Sequence, residues 1–199
     1  MQITFNIILF PDFETLDVFG PVEVFGKVEN WSMQYYSMQG GLISNQDNLR
    51  IETATIDKFN PEGINVLFIP GGLGTRREID NNEFIKRIKF LAEYCQYVFT
   101  VCTGSALLAK TGLMNGKEAT SNKRAFDWVM DSSDKVIWKR QARWVIDDKY
   151  YTSSGISAGI DMALEFVSNV KGIDEAREIA HRIEYNWQED KDVDNFYNQ

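Results

Sequence analysis

The sequence predicts one α/β domain, residues 1–199, with a mostly parallel sheet between helices on both faces. Short apolar runs typical of buried strands alternate with segments of helical periodicity. One run, at 66–69, is continuously apolar, as is usual in the centre of a parallel sheet. The 199 residues suffice for one substantial core, and 44% hydrophobic with 25% charged residues is an ordinary composition for a globular protein.

The first half of the sequence is expected to supply three strands and one helix. The expected elements are a strand at about 4–10, a helix after Pro21 carrying Val22, Val24 and Phe25, a strand at 31–38, a loop or hairpin leading from Gly40 and Gly41 to Ile51, and the strand at 66–69. The last of these strands runs into Pro70, Gly71 and Gly72, a turn that leaves backbone N–H groups unpaired.

The second half is expected to contain more helix. Phe84, Ile85, Ile88 and Leu91 have helical spacing, and a strand ending at Cys102 follows. The remaining expected elements are a helix through Lys110, a helix at about 125–129, a hairpin at 143–153, a helix from near Ser157 and an amphipathic helix from 173 to about 185. The acidic segment 189–194 is expected to be solvated.

The composition excludes several classes of function. A formal net charge of -8 argues against a surface for nucleic acids or anionic membranes. Two cysteines without disulfide spacing indicate a reducing, cytoplasmic setting, and residues 1–10 are too short and polar for a signal peptide or a membrane span. With one histidine and two separated cysteines, we expect no metal site.

Residues 98–108, VFTVCTGSALL, carry the strongest chemical signal. An apolar strand runs into Cys102, and Gly104 permits a sharp turn into a helix, as in the nucleophile elbow of hydrolases. The match is partial, because Thr100 stands where that motif has its first glycine. A thiol at a helix N-terminus is expected to have a lowered pKa. These residues alone leave two interpretations open, a nucleophile and an inert buried cysteine.

Three segments are expected to converge at the carboxyl ends of the central strands, where ligands bind in open α/β sheets. They are 11–17, 70–72 and 102–103. Cys102 would attack an electrophilic carbon, and the N–H groups of Gly72 and Thr103, with Gly71, would hold negative charge that develops in the transition state.

The acidic partner of the thiol is a choice between two residues. Asp17 is flanked by apolar residues, and partial burial would raise its pKa and suit it to proton transfer. Glu14 could equally cap the following turn. We expect His181, on the last amphipathic helix, to be a packing or surface residue, and Cys95 to be structural.

Five segments resemble the ThiJ/PfpI superfamily, and more narrowly its isonitrile hydratase branch. They are 9–13 (LFPDF), 16–25 (LDVFGPVEVF), 69–72 (IPGG), 101–105 (VCTGS) and 152–164 (TSSGISAGIDMAL). The resemblance implies a flavodoxin-like three-layer sandwich, like that of class I glutamine amidotransferases, usually as a homodimer without a cofactor. It implies that Cys102 is the nucleophile and Asp17 its acidic partner. In the hydratase branch this pair adds water to an isonitrile and gives an N-substituted formamide.

One departure from the family's pattern bears on the reaction. Many relatives have a histidine shortly after the nucleophile's helix, and the matching place here is Asn122, which cannot act as a base. This argues against a cysteine–histidine protease or amidase and against glyoxalase-like activity, and less against hydration. The alternatives are an amidase or glyoxalase-type hydrolase on the same site, or a non-enzymatic redox sensor that works through oxidation of Cys102.

Overall fold

The structure, a computed structural model, describes residues 1–197. Its strands are β1 (Ile3–Ile8), β2 (Trp31–Ser37), β3 (Gly41–Ser44), β4 (Arg50–Thr55), β5 (Ile64–Ile69), β6 (Tyr97–Val101), β7 (Glu118–Ala119), β8 (Ile137–Trp138), β9 (Trp144–Asp147) and β10 (Tyr150–Ser153). Its helices are α1 (Thr15–Phe25), α2 (Thr75–Glu78), α3 (Asn82–Tyr94), α4 (Gly104–Lys110), α5 (Phe126–Met130), α6 (Ala158–Lys171) and α7 (Ile173–Arg182), with a 3-10 turn at Ile56–Lys58.

Eight strands form one sheet in the order β3-β4-β2-β1-β5-β6-β10-β9. The five pairings from β4 to β10 are parallel, and only the outermost pairs, β3–β4 and β9–β10, are antiparallel. The short β7 and β8 pair separately. Helices cover both faces of the large sheet, so the predicted α/β architecture of the flavodoxin-like type is confirmed.

The core beneath the sheet is aromatic, which fits the predominance of large apolar residues in the strands. Phe5 stacks on Phe25 with ring centroids 4.0 Å apart, and Phe166 of α6 meets Phe99 of β6 edge-on at 5.0 Å. All four rings are fully buried. This packing fixes α1 and α6 against the strands whose carboxyl ends carry the candidate site.

The first helix differs from its prediction. It begins at Thr15 instead of after Pro21, which lies inside the helix. A proline inside a helix supplies no N–H to the carbonyl four residues earlier, here that of Asp17. Because the helix begins at Thr15, Asp17 lies in its first turn and is fully buried, whereas the sequence predicts a loop at this position.

The acidic tail also differs from its prediction in part. Residues 189–193 are exposed, as expected, but Asp194 is buried with its carboxylate 3.7 Å from the ammonium group of Lys123. Within the described residues, no helix has the length and apolar character needed to cross a membrane.

A buried ion pair joins the last helices to the sheet. The Nε of Arg143 donates to Asp161 Oδ2 at 2.7 Å, and the other carboxylate oxygen accepts from the backbone N–H of Gln188 at 3.0 Å. We expect Arg143→Met to lower the free energy of unfolding by about 3 kcal/mol, because it leaves a buried carboxylate without its cation.

Urea unfolding followed by circular dichroism measures this loss. The matched control is Arg177→Met, because Arg177 makes a two-bond pair with Glu189 on the surface, where solvent screens it. Equal stability losses in the two variants would contradict the assignment of the buried pair as the stabilising one.

Candidate active site

Cys102 lies at a sharp turn between β6 and α4. Its φ is +56°, in the left-handed region that side chains rarely adopt, and its exposure is only 6%. Gly104 is required at the start of α4, because a Cβ there would lie 2.4 Å from the carbonyl oxygen of Ile69. The chain therefore makes the strand–turn–helix elbow that the sequence indicates.

Four hydrogen bonds hold the backbone of Cys102 in this conformation. Its N–H donates to the carbonyl oxygens of Ser153 and Ser154, both at 3.2 Å. Its carbonyl oxygen accepts from the hydroxyls of Ser121 at 2.7 Å and Ser105 at 3.1 Å. A left-handed conformation costs roughly 1–2 kcal/mol for a residue with a Cβ, and the surrounding bonds offset that cost.

Asp17 is the carboxyl group at this thiol. Its Oδ2 accepts from the N–H of Gly71 at 2.9 Å, while Oδ1 is buried without a nitrogen or oxygen donor from residues 1–197. Burial raises the pKa of Asp17 well above its ordinary value, the Gly71 N–H lowers it, the nearby charge of Glu14 raises it, and a hydrogen bond with Cys102 lowers it least. Of the two acids considered, Asp17 is the one that the structure brings to the thiol.

The thiol itself does not have the lowered pKa that its place before a helix suggests. Burial raises the pKa of Cys102 well above its ordinary value, and the charge of Asp17 raises it further. The N–H and the hydroxyl of Thr103 oppose these effects by hydrogen bonding to the sulfur. Desolvation outweighs the favourable donors of the short helix, so the resting state is a protonated thiol beside Asp17.

The predicted donors fall into two groups. The N–H of Thr103 faces the sulfur, as expected. The N–H groups of Gly71 and Gly72 were expected to be free, but Gly71 donates to Asp17 and Gly72 donates to the Thr103 hydroxyl at 3.1 Å. The two glycine amides therefore position the carboxylate and the hydroxyl, and the expectation that they stabilise charge on the substrate is corrected.

Gly71 has room for hydrogen only. A Cβ at this position would lie 2.7 Å from Thr103 N and 2.8 Å from Asp17 Oδ2. Gly71→Ala is therefore expected to push Asp17 and Thr103 away from Cys102 and to lower kcat/KM about 100-fold, since displacements of about 1 Å have effects of that size. Steady-state kinetics on the substrate proposed below measures it.

Gly63→Ala is the control for Gly71→Ala. Gly63 precedes β5 and has a φ of +81°, so alanine strains the backbone there although its Cβ would meet no described atom within 4 Å, and the variant controls for strain remote from the site. Unchanged kinetics in Gly71→Ala would show that the spacing of these groups is not critical.

Several further residues at the site were not predicted from the sequence. Ser105 and Ser121 hold the Cys102 carbonyl, and Thr75 Oγ1 lies 3.1 Å from the Thr103 hydroxyl. The guanidinium group of Arg76 stacks 3.3 Å above the Trp128 ring, close enough to Cys102 to interact with the negative charge of its thiolate form. Ser121 adjoins the Asn122 position already singled out, whereas Arg76 is on a short helix that carries no sequence signal.

The remaining candidates make no hydrogen bond to Cys102 or Asp17 within the described residues. Asn122 accepts a hydrogen bond from the N–H of Ala125 at 3.1 Å and contacts Gly155 closely. His181, the one histidine of the sequence, is exposed on α7. Burial raises the pKa of Cys95 to about 12, as expected for a structural thiol. Among residues 1–197, no cluster of three or more potential metal ligands occurs.

A cavity of about 240 Å³ lies near the elbow, although neither Cys102 nor Asp17 is among its lining residues. Its polar lining includes Asn122, which follows the Ser121 that holds Cys102, and Ser154, which accepts the Cys102 N–H. Its apolar lining is Leu16, Ile156 and Phe196, all of them unusually exposed for large apolar side chains. Exposed apolar side chains that gather around one cavity are typical of a binding site.

The model of the DJ-1/PfpI family matches residues 4–169. The chain belongs to the DJ-1/PfpI family. Isonitrile hydratase of Pseudomonas putida is 28% identical over 185 residues, which cover 93% of this chain and 79% of that protein. Deglycase PH1704 of Pyrococcus horikoshii is 24% identical over 143 residues, 71% of this chain and 84% of that protein.

Solved structures of the DJ-1/PfpI family agree with this fold. A THiJ/PfpI family protein from Pseudomonas syringae superposes with a TM-score of 0.86 at 25% identity, over 94% of this chain and 77% of that one. The predicted family is confirmed. Its members include proteins named as enzymes.

Proposed function

We propose that this protein is a cysteine-dependent enzyme that hydrates isonitriles to N-substituted formamides. The observation that supports it best is the pairing of Cys102 with a buried Asp17 that has one oxygen fixed by Gly71 and the other without a nitrogen or oxygen donor. This arrangement provides a nucleophile and a proton carrier without a histidine. The similarity to a protein named isonitrile hydratase points to the same substrate class.

The reaction can be written with these groups alone. Asp17 accepts the proton of the Cys102 thiol as the sulfur bonds to the terminal isonitrile carbon, and the proton then passes to that carbon, giving a thioimidate, R–N=CH–S–Cys. Water adds across the C=N bond, with its hydroxyl on the same carbon and its proton on nitrogen; the C–S bond then breaks as the proton of that hydroxyl passes to the sulfur. The product is R–NH–CHO, and no oxidant, metal or cofactor is needed.

Thr103 has a distinct part in this scheme. Its hydroxyl oxygen accepts from the N–H of Gly72 and lies 3.1 Å from Thr75 Oγ1, and its proton has two acceptors in reach, the carbonyl oxygen of Gly72 at 3.4 Å and the sulfur of Cys102. Together with its N–H, it stabilises the thiolate during attack and again when the C–S bond breaks. One preorganised donor of this kind is worth about 3 kcal/mol in other enzymes.

The experiment is product identification in ¹⁸O-labelled water with cyclohexyl isonitrile. We expect loss of the isonitrile infrared band and formation of N-cyclohexylformamide that carries the label in its carbonyl group. Unlabelled formamide, or no formamide above the buffer rate, would contradict the proposal.

A hydrolase on the same site is the second candidate, because a relative is named a deglycase. Hydrolysis of an amide or a glycated amine by cysteine is usually assisted by a basic histidine, and the one histidine here is exposed on α7. The raised pKa of Cys102 likewise disfavours the redox-sensor alternative, since readily oxidised cysteines are low-pKa thiolates. Glyoxal and amide substrates, assayed beside isonitriles, separate these cases.

The expectations for assembly and location stay predictions. We propose a homodimer in the cytoplasm, with a small-molecule substrate and with neither nucleic acid nor membrane as a partner. Light scattering of the purified protein gives the mass that decides the first point. The net charge of -8 remains the argument against nucleic acids and anionic membranes.

A further inference from the structure

The C-terminal segment 187–197 is tied across the molecule by interactions with buried groups. The Trp187 indole donates to the carbonyl oxygen of Asp161 at 3.2 Å. Further along, the carbonyl oxygen of Lys191 accepts from the Arg143 N–H at 2.7 Å. The segment therefore follows a fixed path from the end of α7 to the elbow side of the sheet.

The last anchor is the most deeply buried. The carboxylate of Asp194 lies 3.7 Å from Lys123 Nζ, and both side chains are almost fully buried. Lys123 also donates to the carbonyl oxygen of Ala142 at 2.6 Å and to the Thr120 hydroxyl at 3.0 Å. Breaking such a pair leaves an uncompensated buried charge, so it fixes the position of the chain around it.

Asp194 in turn orients Phe196. The Asp194 Oδ1 accepts from the Phe196 N–H at 3.0 Å, which makes a tight turn at this point. Phe196 then lines the cavity of about 240 Å³, together with Leu16, Ile156 and Ser154, whose carbonyl oxygen accepts the Cys102 N–H. A phenylalanine that stays half exposed in spite of these anchors has surface available for a ligand.

We propose that segment 187–197 is a strap that places Phe196 as a wall of the substrate cavity, and that Phe196 selects isonitriles with bulky apolar substituents. The substrate class rests on the proposed function, whereas the position of the wall does not. Lys123 and Arg124 lie at the same cavity, but Lys123 is paired with Asp194 and Arg124 is exposed. In this proposal, the apolar side chains of Leu16, Ile156 and Phe196 contact the substituent of the isonitrile, and Ser154 marks the side of the cavity toward Cys102.

The test compares two isonitriles that differ in reach. In Phe196→Ala, we expect kcat/KM for cyclohexyl isonitrile to fall about tenfold while that for ethyl isonitrile stays within twofold, because loss of apolar contact in a pocket changes kcat/KM by about 10- to 200-fold. Asp194→Asn should lower the ratio of kcat/KM for cyclohexyl isonitrile to kcat/KM for ethyl isonitrile, because it releases the strap from Lys123. An unchanged or increased ratio of the two substrates in Phe196→Ala would overturn the proposal.

The control is Phe90→Ala, because Phe90 on α3 is 47% exposed and Phe196 is 50% exposed. It should leave the ratio as in the wild type. Light scattering of the Phe196→Ala variant covers the other explanation, an apolar contact between two copies of the chain. A changed mass together with an unchanged ratio would assign Phe196 to that contact and overturn the proposal.

A second readout does not depend on isonitrile turnover. Rates of Cys102 alkylation are measured by peptide mass spectrometry with N-methylmaleimide and N-cyclohexylmaleimide. We expect the cyclohexyl-to-methyl rate ratio to fall in Phe196→Ala and in Asp194→Asn, but not in Phe90→Ala. If no isonitrile reacts and this rate ratio still falls, the proposed reaction is wrong but the assignment of Phe196 as a wall of the cavity is supported. If the rate ratio is unchanged, the assignment of Phe196 is wrong.

Discussion

Cys102→Ala is expected to abolish formamide production, with kcat lower by about 10⁴-fold or more. Loss of the nucleophile removes the covalent route altogether, and nucleophile deletions in other enzymes cost up to about 10⁶ in kcat. The measurement is N-cyclohexylformamide formation by chromatography with excess enzyme over long times, so that a small residual rate is quantified.

The matched control for this loss is Cys95→Ala. Cys95 is the other free cysteine and is equally buried, at the end of α3. Cys95→Ala is expected to cost some stability through lost packing and to leave kcat/KM near the wild-type value. Residual formamide production by Cys102→Ala above one-tenth of the wild-type rate would contradict a covalent mechanism. Equal losses in both variants would point to misfolding instead.

Much of the fold is predictable because the strands and helices of a parallel α/β sheet produce local sequence patterns, namely apolar runs and helical spacing. The apolar run at 66–69 becomes β5 in the centre of the sheet, and the helical spacing of Phe84, Ile88 and Leu91 becomes the buried face of α3. The predicted start of the first helix is wrong for a physical reason. Proline is favoured at a helix start, so Pro21 suggests one, but neighbouring packing tolerates it inside α1.

The residues of the site are predictable from the sequence, but their pKa values and hydrogen-bond partners are not. The elbow motif and the order of the segments bring Cys102, Asp17 and Thr103 together, as the sequence indicates. The raised pKa of Cys102 could not be foreseen, because it depends on how completely other segments exclude water. The roles of the Gly71 and Gly72 amides depend likewise on partners that are far away in sequence.

The tail shows the same limit. Its charges suggest solvation, and for residues 189–193 the pattern predicts correctly. Asp194 is buried because its carboxylate pairs with the ammonium group of Lys123, which lies more than 70 positions earlier in the chain. A long-range pair of this kind leaves no periodicity in the sequence.

Asp17→Asn is expected to lower kcat by about 10²- to 10⁴-fold, the usual contribution of a general base. Asparagine keeps an oxygen to accept the N–H of Gly71, so the geometry around Cys102 is retained while proton transfer is lost. Formamide production from ethyl isonitrile measures the effect. Alkylation of Cys102 by N-methylmaleimide in the same variant shows whether the thiol is still accessible.

The pH profile separates proton transfer from a merely structural role of Asp17. As a base, Asp17 must be ionised, so kcat/KM of the wild type should fall as pH decreases through its raised pKa, at a higher pH than for an ordinary carboxyl group. The apparent value belongs to the coupled Asp17–Cys102 pair. Asp17→Asn should lack this acid limb.

Glu14→Gln is the control for the pH profile. It keeps the base and removes a nearby negative charge that raises the pKa of Asp17, so its acid limb should move to lower pH. An acid limb that survives in Asp17→Asn would assign the base to another group.

Stability should change in the opposite direction from activity in Asp17→Asn. A carboxyl group whose pKa is raised on folding binds its proton more tightly in the folded state, so its contribution to stability decreases as pH rises from the unfolded to the folded pKa. Above that window, the wild type carries the full cost of an ionised, buried Asp17, and asparagine does not. We therefore expect Asp17→Asn to unfold at a higher temperature than the wild type at neutral pH. A lower unfolding temperature would mean that Asp17 is retained for the fold; a higher one, with activity lost, means that the protein keeps a destabilising carboxylate for its chemistry.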